Sequence, residues 1–525
     1  MKSKYLAALL AGSALTISAP AFAAQQTEAP QSEQPDQSDA AADATIAQSG
    51  QVDEAAAKIE LLQAQVDSLQ ASIEQLKGQL VKSTPTWKGA PQYDDKEAGF
   101  SFKPKGLIQW DAGYNGFPRG NELRGTVGGL NFQNLGWNTR ARRLTIGADG
   151  TLPGGFRYSA EFNFAQAQVD FEDVFIAYDF QHAPVTAQIG YFYPFSSLET
   201  MTSSKYTSFL ERAGFTDAFN YNRRLGIALL ANDKKNDSWI LQGGIFSETQ
   251  NQVGGVFTRT GWQASLRGAY SPTLGNVRLH VGANYQHREN TREALAQQYR
   301  ARPLNQITDQ RFIDTGNIAS KGDDTVGLEL AAIYKQFHFA AEGQKVWVHD
   351  ALSAADILAT NVDPDDNDTV PSGAVPLNGD PSFWSGYVEL GFYLTGESRG
   401  YKSGRWDRTK VLHPFNQGGW GAFQVNGRID YVDLSDRVDG SSSSVAAPFY
   451  VNGGRQTGYQ LSLIWNPIDY VRFMAQYARI EVKGGPRASV AAPGVPGIFP
   501  IGTTTPANQR KYGVDTFGVR AQVDF

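Results

Sequence analysis

Arginine recurs at alternate positions of apolar–polar segments between residues 100 and 525, and these side chains are the clearest candidates for chemistry. A guanidinium group keeps its charge and binds phosphate-like oxyanions through two parallel hydrogen bonds. A row of such groups along one face would form a path that prefers anions. The arginines on the polar face of their segments are Arg143, Arg157, Arg267, Arg278, Arg288, Arg428, Arg472 and Arg520.

Carboxylates share this polar face, which leaves two interpretations open. Either the arginines form a basic track, or they pair with the acids and only maintain a polar interior, as is normal in large membrane barrels. The net charge of −6 does not decide between them, because the acidic excess lies before residue 99. The acids concerned are Asp149, Glu161, Asp173, Glu329, Glu342, Glu389 and Asp430.

Two connecting segments carry further basic residues. Folded inward, residues 396–413 would form a basic constriction, and the alternative is a solvated loop. In 194–223 the candidates for a narrow passage are Arg212, Arg223 and Arg224, with Glu199 and Glu211 as possible ion-pair partners. The basic residues of the segment 396–413 are Arg399, Lys402, Arg405, Arg408 and Lys410, beside the acids Glu397 and Asp407.

Enzyme and metal signatures are missing from the sequence. It contains no P-loop, HExxH or G-x-S-x-G motif, no Cys, and only six scattered His. An acidic external loop lacks the Gly and distal Glu of a calcium-binding loop, which favours a solvated loop. We therefore expect no catalytic residues, no cofactor and no metal. The acids of that loop are Asp363, Asp365, Asp366 and Asp368.

The segments that carry these side chains alternate between apolar and polar residues with period two. In the last segment Phe517, Val519 and Phe525 share one face, and Arg520 lies on the other. Alternation alone fits a soluble sandwich or a membrane barrel. The segment lengths of about 9–12 residues favour the barrel, as do aromatics near segment ends and the terminal Phe525, which resembles the C-terminal signal of outer-membrane barrels.

Sixteen such segments are present, which predicts an all-β fold, a 16-stranded antiparallel transmembrane β-barrel with both ends on the periplasmic side. Short connections alternate with long ones, as expected for periplasmic turns and external loops. Residues 396–420 break this order with a long connection where a turn is expected. The predicted strands are 107–114, 140–149, 156–164, 173–180, 185–193, 224–231, 238–246, 262–270, 277–288, 325–335, 337–348, 384–395, 421–433, 457–466, 470–480 and 514–525.

The region before the barrel divides into four parts. Residues 1–23 have the basic, apolar and small-residue order of a secretory signal peptide. Residues 24–50 are too polar to fold and form a linker. Residues 51–83 form a helix with a heptad pattern, which favours a short periplasmic coiled coil over a helix lying on another domain. Residues 84–99 are a second linker, and the barrel domain is 100–525.

Two blocks resemble the phosphate-selective porin O and P family. The first is GYFYPFSSLE at 190–199 with TSS at 202–204 and FLER at 209–212. The second is LTGESRGY at 394–401 with GGWGAF at 418–423 and RIDYVDL at 428–434, and Arg140 to Arg143 also look similar. The resemblance covers about residues 100–525. It implies a sixteen-stranded trimeric barrel whose third loop and one long periplasmic connection narrow the pore.

Taken together, the sequence predicts a passive channel of the bacterial outer membrane for small hydrophilic solutes. Selectivity for anions such as phosphate follows from the resemblance. The expected partners are outer-membrane lipid, small anions, two further copies of the chain, and the barrel-assembly machinery through Phe525; no nucleic acid is expected. The alternatives are a structural anchor tethered through the coiled coil, and a barrel-embedded hydrolase.

Overall fold

The structure is a computed structural model of the full chain, which divides into two units, residues 1–80 and 81–525. The predicted signal peptide, the linker 24–50 and three acids of the acidic loop (Asp363, Asp365 and Asp366) lie outside the described residues. The described residues are 56–75, 86–87, 89–95, 97–118, 126–127, 130–131, 135–167, 169–219, 222–247, 261–292, 294–362, 368–437, 451–490 and 497–525.

In the first unit, residues 56–75 form one helix. Within the single chain its heptad side chains are open to solvent, with Ile59 66 % and Leu69 62 % exposed. Among the described residues, no helix is long and apolar enough to cross a membrane.

The second unit is a closed barrel of sixteen antiparallel strands, so the predicted fold is confirmed. The last strand pairs with the first through Phe517 opposite Tyr114 and Val523 opposite Ile108. In chain order the barrel strands are β1 Phe100–Asn115, β2 Gly136–Leu152, β3 Phe156–Asn163, β4 Asp170–Asp179, β5 Val185–Phe192, β6 Arg224–Asn232, β7 Trp239–Ser247, β8 Trp262–Tyr270, β9 Val277–Glu289, β10 Ile313–Tyr334, β11 Phe337–Ala351, β12 Ser382–Tyr393, β13 Ala422–Asp436, β14 Val451–Ile468, β15 Val471–Lys483 and β16 Lys511–Asp524.

Short elements decorate the barrel. The α-helices of this unit are Leu198–Met201, Gly214–Ala218 and Ala354–Val362, and the 3-10 turns are Ala165–Ala167, Phe415–Gln417 and Ala507–Gln509. The extra short strands are Thr86–Trp87, Pro91–Asp95, Thr126–Val127, Leu130–Asn131, Thr273–Leu274, Ala296–Ala301, Gly400–Lys402 and Arg405–Asp407.

The strands present apolar side chains outward and polar side chains inward. On β16, Phe517 is 42 % exposed, whereas Arg520, on the opposite face, is 2 % exposed. A soluble protein has the reverse arrangement. An apolar outer belt around a polar interior is stable in lipid, where the closed sheet also satisfies every strand's hydrogen bonds.

Connections differ between the two ends of the barrel. At the end that holds its termini, which we call the turn end, β10 and β11 are joined by residues 335–336 alone. At the opposite loop end, residues 193–223 and 290–312 form long connections. β10 begins at Ile313 rather than at 325, because its first part pairs with the loop strand Ala296–Ala301 instead of with a barrel neighbour.

Three segments fold into the interior of the barrel, which we call the plug loop (193–223), the mouth loop (302–312) and the basic segment (394–421). Their apolar side chains form a core inside the lumen: Phe215 and Phe312 are fully buried, and Trp406 is 2 % exposed. The lumen is therefore narrowed by chain segments that the wall holds in place.

Candidate functional site

The plug loop crosses the lumen and is fixed to the wall through its backbone. The Leu210 amide donates to Gln476 Oε1 at 2.8 Å, and the Gly214 amide donates to Asp430 Oδ2 at 2.8 Å. Each acceptor is an inward side chain of a barrel strand. Since a buried backbone amide needs a partner, these wall side chains determine the course of the loop.

Arg428 of β13 also binds the plug loop, and it contacts two carboxylates and two aromatic rings. Its Nη2 lies 2.5 Å from Glu389 on β12 and 2.8 Å from Glu199 on the plug loop. The guanidinium also lies between the rings of Phe209 and Tyr387, each centroid 4.5 Å away. Arg428 therefore joins two wall strands to the loop that narrows the pore.

A β-bulge in β2 brings two neighbouring arginines into the lumen. Gln109 of β1 pairs with Arg143 and Trp110 pairs with Ala141, so Arg142 is the extra residue. Strict alternation predicts that Arg142 faces lipid, where an arginine costs about 2–4 kcal/mol. The bulge re-aims it inward, and its guanidinium binds Glu211 of the plug loop at 2.6 and 3.0 Å.

Glu211 connects the plug loop to a second wall arginine. It lies 3.1 Å from Arg520, which itself binds Asp111 through two hydrogen bonds of 2.6 and 2.7 Å. Burial alone raises the pKa of Glu211, but the guanidinium groups of Arg142 and Arg143 lower it well below its usual range. Glu211 therefore stays charged and neutralises part of this arginine cluster.

Arg143 and Arg212 have a different environment. Arg143 donates to Gln109 Oε1 at 2.8 Å, and Arg212 donates to the carbonyl oxygens of Glu199 and Thr202 at 3.1 and 2.6 Å. In the described part of the chain, neither forms an ion pair with a carboxylate. Both line a cavity of 130 Å³ between the wall, the plug loop and the mouth loop, beside Arg142, Glu211 and Tyr193. We call it the arginine cavity.

The other arginines named from the sequence mostly have carboxylate partners. Arg267 binds Glu329 at 2.7 Å and is 1 % exposed, whereas the Arg157–Asp179 pair at the turn end is partly open, with Arg157 43 % exposed. Arg278 pairs with Asp237 and Arg288 with Asp323. Arg472 instead donates to the carbonyls of Lys205 and Thr207 at 2.9 and 2.5 Å. For the paired arginines the polar-interior interpretation fits the geometry.

The partners of the plug-loop acids differ from those expected. Glu199 and Glu211 pair with wall arginines rather than with Arg212, Arg223 or Arg224, because the loop lies across the lumen with its carboxylates against the wall. Arg223 instead binds Glu172 and, at 2.6 Å, Asp173, and lies over the ring of Tyr193 at 4.4 Å. Arg224 opens β6 and lies beside Arg288 and Asp323.

The basic segment folds into the lumen, which accounts for the long connection where a short turn is expected. The Trp406 amide donates to Thr202 Oγ1 at 3.2 Å, and Arg399 donates to the carbonyl oxygen of Tyr206. Arg408 pairs with Asp524 of β16. The remaining basic residues of the segment are exposed: Lys402, Arg405 and Lys410.

Sequence reasoning missed several basic residues at these contacts. Lys105 of β1 binds Asp149 at 2.8 Å and Glu161 at 3.0 Å. Arg302 of the mouth loop binds Asp217 of the plug loop at 3.2 Å and lines the arginine cavity. The adjacent Arg142 and Arg143 in one predicted strand were the signal in the sequence that could have indicated the bulge. No sequence pattern indicated that the mouth loop folds inward.

Comparison with known proteins identifies the family. Residues 108–489 match the family described as phosphate-selective porin O and P. The chain belongs to this family. It is therefore an outer-membrane porin, a diffusion channel. Of the two blocks that carry the resemblance, residues 193–212 lie in the plug loop and residues 394–401 and 418–421 in the basic segment, whereas 190–192 lie on β5 and 422–434 on β13.

Individual relatives of this porin share between 11 and 32 % of its sequence. An uncharacterised protein of Caulobacter vibrioides is 32 % identical over 448 residues, 84 % of this chain and 77 % of its own length. Porin O of Pseudomonas aeruginosa is 27 % identical over 412 residues, 75 % of this chain and 86 % of its own. An anion-selective porin from Comamonas acidovorans is 11 % identical over 81 % of this chain and 100 % of its own, with a TM-score of 0.43.

Proposed function

We propose that this porin selects small oxyanions, phosphate first among them, at the arginine cavity. The observation that carries the proposal is that Arg143 and Arg212 line this cavity and form no ion pair with a carboxylate of the described residues. A guanidinium that gives only part of its hydrogen bonds to neutral oxygens keeps its positive charge available. A tetrahedral oxyanion offers the bidentate acceptors that such a group prefers.

The charge balance at the cavity supports the same conclusion. The cationic residues that line it are Arg142, Arg143, Arg212 and Arg302, whereas the acidic ones are Glu211 and Asp217. This leaves an excess of positive charge in a space narrowed by polypeptide, where the local dielectric constant is below that of bulk water. Anions are therefore favoured over cations at this cavity.

A second basic cavity lies further along the lumen, towards the turn end. It is lined by Lys205 of the plug loop, Arg399 and Arg408 of the basic segment, and Arg472 of β15, together with three aspartates. Burial lowers the pKa of Lys205. The volume of this second cavity is about 20 Å³, which is space for about one water molecule, so it adds basic groups beside the path rather than a second site for an oxyanion.

Phosphate block of chloride current tests the proposal. With purified protein in a planar bilayer, we expect added phosphate to reduce the current, and the Arg143→Gln and Arg212→Gln variants to need more phosphate for half-block. An ion in contact with the lost charge gives up about 1–2 kcal/mol, so the shift should be about 5–30-fold. Arg157→Gln, which removes a paired arginine at the turn end, should leave the block unchanged. Equal block in all four proteins would contradict the proposal.

We also propose that three copies of the chain assemble, joined in the periplasm by a coiled coil of residues 51–83. The apolar heptad side chains of the helix 56–75 are exposed in the single chain, which supports pairing with further copies. Removing 51–83 while keeping the signal peptide should weaken the oligomer, measured as its mass in detergent by light scattering. An unchanged mass would restrict the trimer contacts to the barrel.

The role of a structural anchor rests on the same exposed helix, and it is compatible with a channel. Recordings of the folded protein separate the two. A folded barrel that never conducts would favour the anchor, whereas lipid hydrolysis by it would favour a barrel-embedded hydrolase. We further propose that the barrel contacts outer-membrane lipid and that Phe525 contacts the barrel-assembly machinery, whether the protein is a channel or an anchor.

A further inference from the structure

We propose that the outer face of the barrel carries a binding site for a divalent transition-metal ion of the zinc class, formed by His287, Glu289 and His349. One ligand atom from each of these side chains lies within 4.8 Å of the other two. Two imidazoles and one carboxylate are a ligand set that Zn²⁺ takes in proteins, with a further position open.

The sheet register brings the three side chains together. His287 and Glu289 lie two residues apart on β9, so they project from the same, outward face. Glu289 is opposite Gly322 of β10, and Gly322 is opposite His349 of β11. The three strands thus place a carboxylate, a glycine and an imidazole in one row at the loop end of the barrel.

Gly322 leaves the space in which the imidazole lies. A Cβ atom at this position would come within 2.1 Å of the Arg288 carbonyl oxygen on β9, and within 2.6 Å of His349 Cε1 and 2.7 Å of His349 Nε2. Any side chain here would therefore displace the ring. Because the glycine is bare, His349 reaches over β10 and stacks on His287, with ring centroids 5.3 Å apart and an angle of 5° between the planes.

The hydrogen bonds around His287 are those of a metal ligand. Its Nδ1 is 2.9 Å from Asp324 Oδ1, and Tyr285 donates its hydroxyl to the same oxygen at 2.7 Å. A carboxylate that accepts the second ring N–H fixes the tautomer and orients a metal-binding imidazole. The other nitrogen, Nε2, then offers its lone pair and lies 3.5 Å from Glu289 Oε1.

His349 supplies a separate indication. Its Nε2 is buried, and within the described residues it has no hydrogen-bond partner. A bound metal ion would give this atom the partner that it lacks. Ligand atoms bound to one zinc ion are about 3.4 Å apart, so the side chains need to close by about an ångström, which rotamer adjustment at the end of the strands allows.

The site is on the wall and not in the pore. Arg288, between the two β9 ligands, faces inward, and the ring of Trp262 on β8 lies 5.0 Å from that of His287 between centroids. An ion held by β9 and β11 would clamp three neighbouring strands. Metal binding therefore predicts a gain in the stability of the barrel without a change in ion selectivity.

Isothermal titration of untagged, folded porin in detergent with ZnCl₂ tests the inference. We expect one zinc per chain, and at least tenfold weaker binding after His287→Ala, His349→Ala or Glu289→Gln. Asp324→Asn, which alters only the positioning carboxylate, should weaken binding about 10–100-fold. His182→Ala and His413→Ala, which remove histidines elsewhere, should bind as the parent does.

Two further measurements keep the inference open to refutation if a variant folds poorly. Gly322→Ala, which changes no ligand, should also weaken zinc binding, because its Cβ meets both the His349 ring and the carbonyl oxygen of Arg288, between the two β9 ligands. X-ray absorption of the loaded parent protein should show two nitrogen ligands and at least one oxygen ligand at about 2.0–2.2 Å. Absence of stoichiometric zinc binding by the parent, or undiminished binding by the His287→Ala/His349→Ala double variant, would overturn the inference.

Discussion

Replacing Arg428 by Gln should loosen the plug loop without opening the barrel. The Arg428 side chain is fully buried, and it holds Glu199 of the loop and Glu389 of the wall at 2.8 and 2.5 Å. The substitution leaves two buried carboxylates without their cation, and removing one partner of a buried ion pair costs about 3–5 kcal/mol. Glu389 stays in the wall whether or not the loop is attached, so the loss at Glu199 is the part that favours detachment of the loop.

This energy corresponds to a roughly hundredfold to several-thousandfold increase in the detached population of the loop around Glu199. The hydrogen bonds of Leu210 and Gly214 to the wall remain, so the loop should move in brief excursions rather than leave the lumen. In single-channel recordings we expect greater open-channel noise and transitions to a higher conductance. Limited proteolysis should cut the loop faster than in the parent protein.

Two variants serve as controls. Arg157→Gln breaks the ion pair with Asp179. The side chain of Arg157 is 43 % exposed and that of Asp179 is 32 % exposed, and such exposed pairs contribute at most about 1 kcal/mol to stability. It should record as the parent does. Arg428→Lys keeps the charge but not the planar fork, so its noise should be intermediate. Equal noise, conductance and proteolysis in Arg428→Gln and Arg157→Gln would refute the assignment of Arg428 as the anchor.

Three further outcomes follow from the geometry. Because Arg142 lowers the pKa of Glu211, the stabilisation from this carboxylate is lost only as the pH falls through that depressed pKa. Ion selectivity should therefore be the same at pH 7 and pH 5. A shift of the reversal potential between these two pH values would contradict this expectation. Gly404→Val places a Cβ 2.3 Å from the Ile240 side chain of the wall, and it should displace the basic segment and raise conductance. Gly418→Val is the matched control: it has a similar positive φ (81° against 72°) and hence similar backbone strain, but nothing lies within 4 Å of its Cβ, so it should raise conductance less. Deleting Phe525 should sharply reduce the yield of assembled barrel, measured by heat-modifiable gel migration, and an unchanged yield would exclude it as an assembly signal.

The strands were predictable because the alternation of apolar and polar residues within each strand shows which of its faces points to lipid. In β16 the alternation of Phe517, Val519 and Val523 with Arg520 is local, and it needs no knowledge of the neighbouring strand. The sixteen predicted segments all overlap the barrel strands. Their ends were less predictable, because β10 continues into contacts with a loop strand that the alternation of β10 itself does not reveal.

The interior arrangement depends on contacts between distant parts of the chain. The amide of Leu210 donates to Gln476, and Arg399 donates to the carbonyl of Tyr206. The partners are far apart in the sequence, and no local sequence pattern marks them as partners. Arg142 is different, since two adjacent arginines in a membrane strand cannot both face the lumen without a bulge. The cost of placing one of them in lipid was therefore sufficient to predict the bulge.

The proposed metal site was hidden for the same reason. His287 and His349 are far apart in the chain and look like two of several scattered histidines, which is why the sequence predicted no metal. The register across β10 makes them neighbours, and the gap at Gly322 gives the second ring its place. A glycine's role as an opening for another strand's side chain becomes visible only once the pairing is known.

The reversal potential of the purified porin in a planar bilayer, under a KCl gradient, tests the central claim most directly. The unpaired charges of Arg143 and Arg212 lead us to expect a potential on the chloride side, moving towards zero in the Arg143→Gln/Arg212→Gln double variant. A potential on the potassium side in the parent protein, or one that the double variant leaves unchanged, would contradict an arginine cavity that selects anions.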